Sequence, residues 1–162
     1  MPVGSGVGVP VTSPYISYEG LPHFTAVWRW NSAGAAWVNN TLESQSPTGT
    51  GFILLNAIND VVYLGSPNRF DLAAFILSIN SAMSGLTWNY WDGTAFTQFI
   101  PGEQYDFSIN GAETFLNLRN WAARSFSSTF PQVAAPPDSN SRYWISLSAS
   151  SITTPATVNQ IM

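Results

Sequence analysis

Short apolar runs alternate with turn residues from Asp60 to Asn120, and this alternation constrains the fold more than any other feature of the chain. The runs are rich in aromatic and β-branched residues, and Gly, Pro, Asn or Asp separates them about every ten residues. Asp92-Gly93 lies between two aromatic runs, which predicts a hairpin closed by a type I′ turn. The stretch therefore predicts antiparallel β-structure.

The spacing of apolar residues predicts the individual strands. Residues 23–30 alternate between two faces, as in a half-buried strand, whereas residues 70–79 are apolar on both faces and should lie centrally in a sheet. One helical turn is expected at residues 121–126. Further strands are expected at residues 35–39, 51–56, 61–65, 86–91, 94–100, 105–109, 113–118 and 142–149.

Many short strands without βαβ alternation predict an all-β fold, an antiparallel β-sandwich of jelly-roll-like form. Residues 23–152 form its expected body, and residues 153–162 are expected to be a C-terminal tail. Residues 1–22 contain four Pro and no helical period. They are either a disordered tail or an extended N-terminal arm, and their Val and Tyr side chains favour an arm that binds a neighbouring subunit.

The composition narrows the class of function. The 162 residues suffice for one domain, and the absence of Cys excludes disulfides and thiolate metal sites. Five Arg, no Lys and a net charge of −4 argue against a nucleic-acid partner. No secretory signal or membrane-spanning apolar run is visible. Only 9% of residues are charged, so we expect partners to cover much of the surface.

Few residues could carry catalysis. His23 is the only His, so neither a His cluster for a metal nor an alternative base for a catalytic triad exists. A glycosidase needs two carboxylates, which could come from Asp92, Glu103, Asp106 and Glu113, but Asp92 already has a role in its turn. We therefore expect a protein that is not an enzyme and that has no cofactor or metal.

The aromatic residues could have any of three roles. A sandwich of this size needs large inward side chains, and we expect Phe75, Trp88, Tyr90 and Trp144 to be core. Aromatic rings on a sheet face also bind sugars, and the candidate glycan platform is Trp91, on the opposite face from Trp88 and Tyr90, together with Phe96. Aromatic residues are equally enriched at subunit interfaces, where we would place Trp28, Trp30 and Trp37.

The order of several motifs resembles a β-sandwich domain that recurs in virion proteins of tailed phages. The resemblance covers roughly residues 51–149. It departs from the domain at Leu118-Arg119-Asn120 before Trp121, and in a longer loop after Phe126. The matching segments are Asp60-Val61-Val62-Tyr63-Leu64-Gly65, Phe70-Asp71, Thr87-Trp88-Asn89-Tyr90-Trp91-Asp92-Gly93-Thr94-Ala95-Phe96, Trp121 and Tyr143-Trp144-Ile145.

By architecture, a small, charge-poor version of this domain with an apolar arm looks most like a capsid decoration (cement) protein. The resemblance implies a virion protein made in the host cytoplasm, on the outer surface of the capsid, with the major capsid protein and further copies of itself as partners. A trimer is preferred, and neither nucleic acid nor membrane is expected as a partner. The alternative is a carbohydrate-binding or host-attachment module. The residues expected to bind the capsid or a neighbouring subunit are Val7, Val9, Val11, Tyr15, Tyr18, Trp28, Trp30 and Trp37.

Overall fold

A computed structural model describes residues 20–126 and 135–162, and these ranges contain eleven strands and no helix. Most of the predicted arm, residues 1–19, lies outside the described residues. The strands are β1 (Ala26–Asn31), β2 (Ala36–Asn39), β3 (Phe52–Ile53), β4 (Val61–Ser66), β5 (Leu72–Ile79), β6 (Ala82–Trp91), β7 (Phe96–Phe99), β8 (Gly111–Thr114), β9 (Ala123–Arg124), β10 (Arg142–Thr154) and β11 (Thr157–Ile161).

The strands form two antiparallel sheets. The seven-stranded sheet has the order β2-β1-β4-β10-β6-β7, with β9 paired to the start of β10. The four-stranded sheet has the order β3-β11-β5-β8, so β5 has a neighbour on each side, as its two apolar faces predicted. The predicted all-β antiparallel sandwich is confirmed, and its jelly-roll connectivity stays a prediction.

The main core lies between the two sheets. Phe75 of β5 is fully buried and packs its ring 6.5 Å from Trp88 of β6, measured between centroids. Ile145 and Leu147 of β10 point into the same cluster, because alternate residues of a strand share a face. Trp88, Tyr90 and Phe75 therefore occupy the predicted core. Trp144 is also fully buried, but it belongs to a second cluster, on the opposite face of its strand.

The predicted hairpin exists, but the prediction of its turn is wrong. Trp91 pairs with Phe96, so the connection has four residues, and only Gly93 in it has a positive φ, of 103°. The Asp92 carboxylate accepts hydrogen bonds from the backbone N–H of Thr94 at 2.8 Å and of Ala95 at 2.9 Å. The side chain therefore organises the loop, which a two-residue type I′ turn does not require.

Two further local predictions are wrong. Residues 121–126 form no helical turn, because Ala123 and Arg124 pair with the start of β10. Residues 105–109 form no strand. Their segment is held by the buried Glu113 carboxylate, which accepts bonds from the backbone N–H of Glu103 at 2.8 Å and of Tyr105 at 3.2 Å.

The predicted tail at residues 153–162 is also wrong. β10 continues to Thr154, and β11 then pairs with β3 on one side and β5 on the other. Val158 and Ile161 are both fully buried, three positions apart. The register of β11 shifts between Val158 and Gln160, and this irregularity removes the period-2 signal that would have predicted a strand.

Candidate functional site

The outer face of the seven-stranded sheet carries a continuous set of aromatic side chains. Alternation along β1 turns Val27 into the main core and directs Ala26 and Trp28 to this outer face. Neighbouring ring centroids lie 5.3–5.4 Å apart, mostly in edge-to-face contact, which is the favoured arrangement for aromatic pairs. We call this set the outer aromatic row; in spatial order it contains Trp30, Trp37, Tyr63, Phe96 and Trp91.

One end of the outer aromatic row is covered. The Phe126 ring lies 5.2 Å from the Trp91 ring, edge to face. The Arg124 guanidinium lies 4.8 Å from the Trp91 ring centroid, within the range of a cation–π interaction. Trp144 donates its indole N–H to the Arg124 carbonyl at 2.9 Å. Trp91 is consequently only 3% exposed.

The predicted glycan platform does not have the exposure that it requires. A ring that stacks on a sugar must present one face to solvent, but the two contacts from Arg124 and Phe126 cover Trp91. Phe96 is half-buried between Tyr63 and Trp91. The two residues do lie together on the outer face, and Trp91 does point away from the main core, as the sequence predicted.

The three predicted interface Trp residues lie at the other end of the same face. Trp28 and Trp37 are half-buried, and Trp30 is 9% exposed. Trp30 and Trp37 are cross-strand neighbours, and their rings touch edge to face. The structure therefore places these three residues on one sheet face, where Trp28 and Trp37 keep part of their surface open and Trp30 is buried. The other predicted contact residues, Val7, Val9, Val11, Tyr15 and Tyr18, lie outside the described residues.

The buried carboxylate of Asp138 links its own loop to Trp28 on this face. The Asp138 side chain accepts bonds from the Asn140 backbone N–H at 2.9 Å and from the Arg142 Nε at 3.1 Å. The Trp28 indole N–H also points at it, at 3.4 Å. Burial raises the pKa of Asp138, but these bonds from Asn140 and Arg142 outweigh burial and hold the pKa below its usual value. Sequence reasoning missed Asp138, because it lies in a Pro-rich loop, and no local pattern links it to Trp28, 110 positions away.

A second buried carboxylate, Asp60, holds the β1–β2 turn. Its Oδ1 accepts the backbone N–H of Ser32 at 2.8 Å, and its Oδ2 accepts that of Asn56 at 3.0 Å. The Arg29 guanidinium lies 3.6 Å away. Burial raises the pKa of Asp60, but the bonds from Ser32 and Asn56 and the Arg29 charge together lower it below its usual value. The acidic residue before β4 therefore has a structural role.

Three of the four candidate catalytic carboxylates, those of Asp92, Asp106 and Glu113, are engaged in backbone contacts, whereas the Glu103 side chain is exposed. Asp92 accepts hydrogen bonds from the Thr97 hydroxyl and from the backbone N–H of Ala95 and Thr94, and these bonds lower its pKa. Asp106 accepts bonds from the hydroxyl and the backbone N–H of Ser108, which lower its pKa in the same way. Burial raises the pKa of Glu113, and its three backbone bonds offset this rise only in part. Within residues 20–126 and 135–162, no three His, Asp or Glu side chains are grouped closely enough to hold a metal ion.

Comparisons with models of protein families, with curated proteins and with solved structures find no match. No helix long and apolar enough to cross a membrane occurs in the part of the chain that the structure describes.

Proposed function

We propose that this chain is a non-enzymatic virion structural protein, a capsid decoration protein that binds the outer capsid surface and stabilises the head. Its partners are the major capsid protein and further copies of itself, with a trimer preferred. The proposal starts from the motif order that resembles phage virion sandwiches. The observation that carries it is the outer aromatic row, with Trp28 beside it, on a sheet face that is only partly covered.

The rest of the surface supports a protein that works in contact with others. Within residues 20–126 and 135–162, six large apolar side chains are more than half exposed: Leu42, Ile58, Ile79, Ile100, Ile109 and Leu116. Burial of apolar surface contributes about 25 cal/mol per Å², so even a small contact becomes substantial when symmetric copies repeat it over a shell. With 9% charged residues, little electrostatic repulsion opposes such contacts.

The carboxylates also fit a structural role better than a catalytic one. Asp60, Asp92, Glu113 and Asp138 each accept backbone N–H bonds that fix a loop or turn. A catalytic acid or base must instead reach a proton on the substrate. The alternative of a carbohydrate-binding module is weakened, because the Trp91 ring is covered by the protein itself.

The decisive experiment locates the protein. Purified particles should contain it in a fixed ratio to the major capsid protein, and stripping it should lower the temperature or raise the osmotic sensitivity at which heads rupture. Trp37→Ala should weaken rebinding to stripped particles, because it removes a half-exposed ring of the outer aromatic row. Leu116→Ala is the matched control, since Leu116 is 61% exposed and follows β8 of the other sheet.

Absence of the protein from particles would refute the proposal. Equal loss of rebinding in both variants would show that the outer aromatic row is not the contact surface. A glycan array with the intact assembly tests the alternative, which would replace the proposal if binding were found and were lost in Trp91→Ala.

A further inference from the structure

The strand β7 forms one edge of the seven-stranded sheet. Among the described strands it pairs only with β6. Asp92 donates its backbone N–H to the Ala95 carbonyl at 3.0 Å, in the same register as the β6–β7 ladder. Hydrogen-bonded pairs alternate with non-bonded pairs along an antiparallel ladder. Phe96 and Gln98 therefore belong to non-bonded pairs, and they direct their N–H and C=O groups away from β6, to the free edge.

Ile100 continues this edge beyond the end of β7. It precedes Pro101, and a proline holds the residue before it in an extended conformation. Ile100 is 88% exposed, more than any other large apolar side chain among the described residues. Phe99 packs against the main core, so alternation along the strand places the even-numbered residues, including Phe96, on the outer face. The edge thus presents one apolar side chain on each side of Gln98.

This edge is complementary to a second copy of itself. When two segments 96–100 pair antiparallel about Gln98, Phe96 of each copy lies opposite Ile100 of the other copy. Directly opposed aromatic and β-branched side chains form a favourable cross-strand pair. The two Gln98 amides lie opposite each other, and each has both donors and an acceptor. The three kinds of opposed pair all fall at bonded positions, where the two residues exchange two backbone N–H···O bonds.

The segment lacks the features that keep sheet edges apart. These features are charged side chains, prolines and bulges in the edge strand. Residues 93–100 contain neither a charged residue nor a proline, and β7 pairs with β6 without a register shift. No like charges would be directly opposed in the paired segment, so nothing in its side chains resists the approach of a second copy.

The other sheet edges among the described strands suit self-pairing less well. The edge of β8 is already bonded, because the Thr114 carbonyl accepts the Gly102 N–H at 2.9 Å. β3 has only two residues. In the four-residue strand β2, every second residue faces outward, which gives two residues against three in the segment 96–100.

We infer that the segment 96–100 pairs antiparallel with the same segment of a second copy, about a two-fold axis between the two Gln98 residues. Two-fold contacts of this kind use the same surface on both copies. Opposed residues of an antiparallel pair share a face, so the outer aromatic rows of the two copies lie on the same side of one continuous sheet. The contact goes beyond the proposed function and is separate from the trimer contact preferred there. It is tested on the free protein, so failure of particle binding would leave it standing.

Disulfide trapping tests the register, because the chain has no Cys of its own. Under oxidising conditions, Gln98→Cys should form a covalent homodimer on a non-reducing gel, since opposed Cα atoms about 5.5 Å apart are within disulfide reach. Thr97→Cys is the matched control: Thr97 is also exposed, but it would lie diagonal to Thr97 of the other copy, about 7–8 Å away. It should cross-link at a level at least about fivefold lower.

Charge exchange at the same position gives a second readout. Gln98→Glu and Gln98→Lys each place like charges directly opposite one another and should each weaken self-association about threefold in sedimentation equilibrium. An equal mixture of the two variants opposes unlike charges and should associate at least as strongly as the parent chain. This rescue requires that residue 98 of one copy lies opposite residue 98 of the other.

A proline variant tests the backbone contact. The Gln98 N–H faces the free edge, so Gln98→Pro should keep the urea midpoint within about 0.5 M of the parent chain. It removes a donor on the pairing side and should weaken self-association at least about tenfold. Loss of the folded state in this variant would contradict the outward direction of the Gln98 N–H. A parent chain that is monomeric at about 100 μM, equal trapping at positions 97 and 98, or a charge mixture without rescue would each overturn the inference.

Discussion

Asp60→Asn is the substitution that best tests how the folded chain uses its buried charge. The carboxylate is fully buried and accepts the Ser32 N–H, the Ser32 hydroxyl, and the backbone N–H groups of Asn56 and Ala57, at 2.7–3.3 Å. An Asn side chain has the same shape but has only one acceptor oxygen. If that oxygen serves Ser32, an NH₂ group faces the other two donors, and Arg29 loses its counter-charge.

The expected loss in the free energy of unfolding can be estimated from these contacts. A buried donor without a partner costs about 1–3 kcal/mol, and removing one partner of a buried ion pair costs about 3–5 kcal/mol. We therefore expect Asp60→Asn to lower the free energy of unfolding by about 3–4 kcal/mol at pH 7. Ser32→Ala is the control, since it removes only the hydroxyl bond and should cost about 1 kcal/mol.

The pH dependence separates charge from shape. The folded-state pKa of Asp60 lies below its usual value, so its stabilisation is present above the unfolded pKa and is lost as pH falls through the folded pKa. The difference between wild type and Asp60→Asn should shrink below about pH 4. Urea unfolding, monitored by Trp fluorescence, measures this difference in the free energy of unfolding. A cost under about 1 kcal/mol at pH 7, or one unchanged at pH 3, would refute the reasoning.

Three further predictions concern packing, titration and the N-terminal segment. Gly65→Ala should destabilise by about 2–3 kcal/mol, because a Cβ there would lie 2.6 Å from the Trp144 ring; near-UV circular dichroism and urea unfolding would check this, and an unchanged midpoint would contradict it. Burial raises the pKa of Glu113, so its contribution is fully present below the unfolded pKa and is lost as pH rises through the folded one. The stability of wild type relative to Glu113→Gln should therefore fall from pH 4 to pH 7, and a rise would contradict the burial argument. Deleting residues 2–18 should leave the urea midpoint within about 0.5 M of the parent, since β1 begins at Ala26, but should severely weaken rebinding to stripped particles; loss of the folded state, or rebinding at full strength, would contradict it.

The local sequence pattern was sufficient to predict a strand wherever a regular apolar run is followed by turn residues. The strands β1, β2, β4, β5, β6, β7 and β10 were predicted at or near their observed positions, because each contains an alternating or a continuous apolar run between turn residues such as Gly, Pro, Asn or Asp. The hairpin between Trp88 and Phe99 was predicted for the same reason. Its four-residue loop was not, since it depends on side-chain bonds from Asp92 that a dipeptide signal does not specify.

The antiparallel all-β class and the scarcity of reactive side chains were thus determined by the sequence itself. Alternation along β6 places Trp91 on the opposite face from Trp88, but only the tertiary structure decided how the faces of different strands correspond. Trp88 and Trp144 are both buried, but in clusters on opposite faces of one sheet. It also decided that β11 completes the smaller sheet through an irregular register with β5. These outcomes depend on contacts between residues far apart in the chain, and a period read along one strand carries no information about which distant strand will lie beside it.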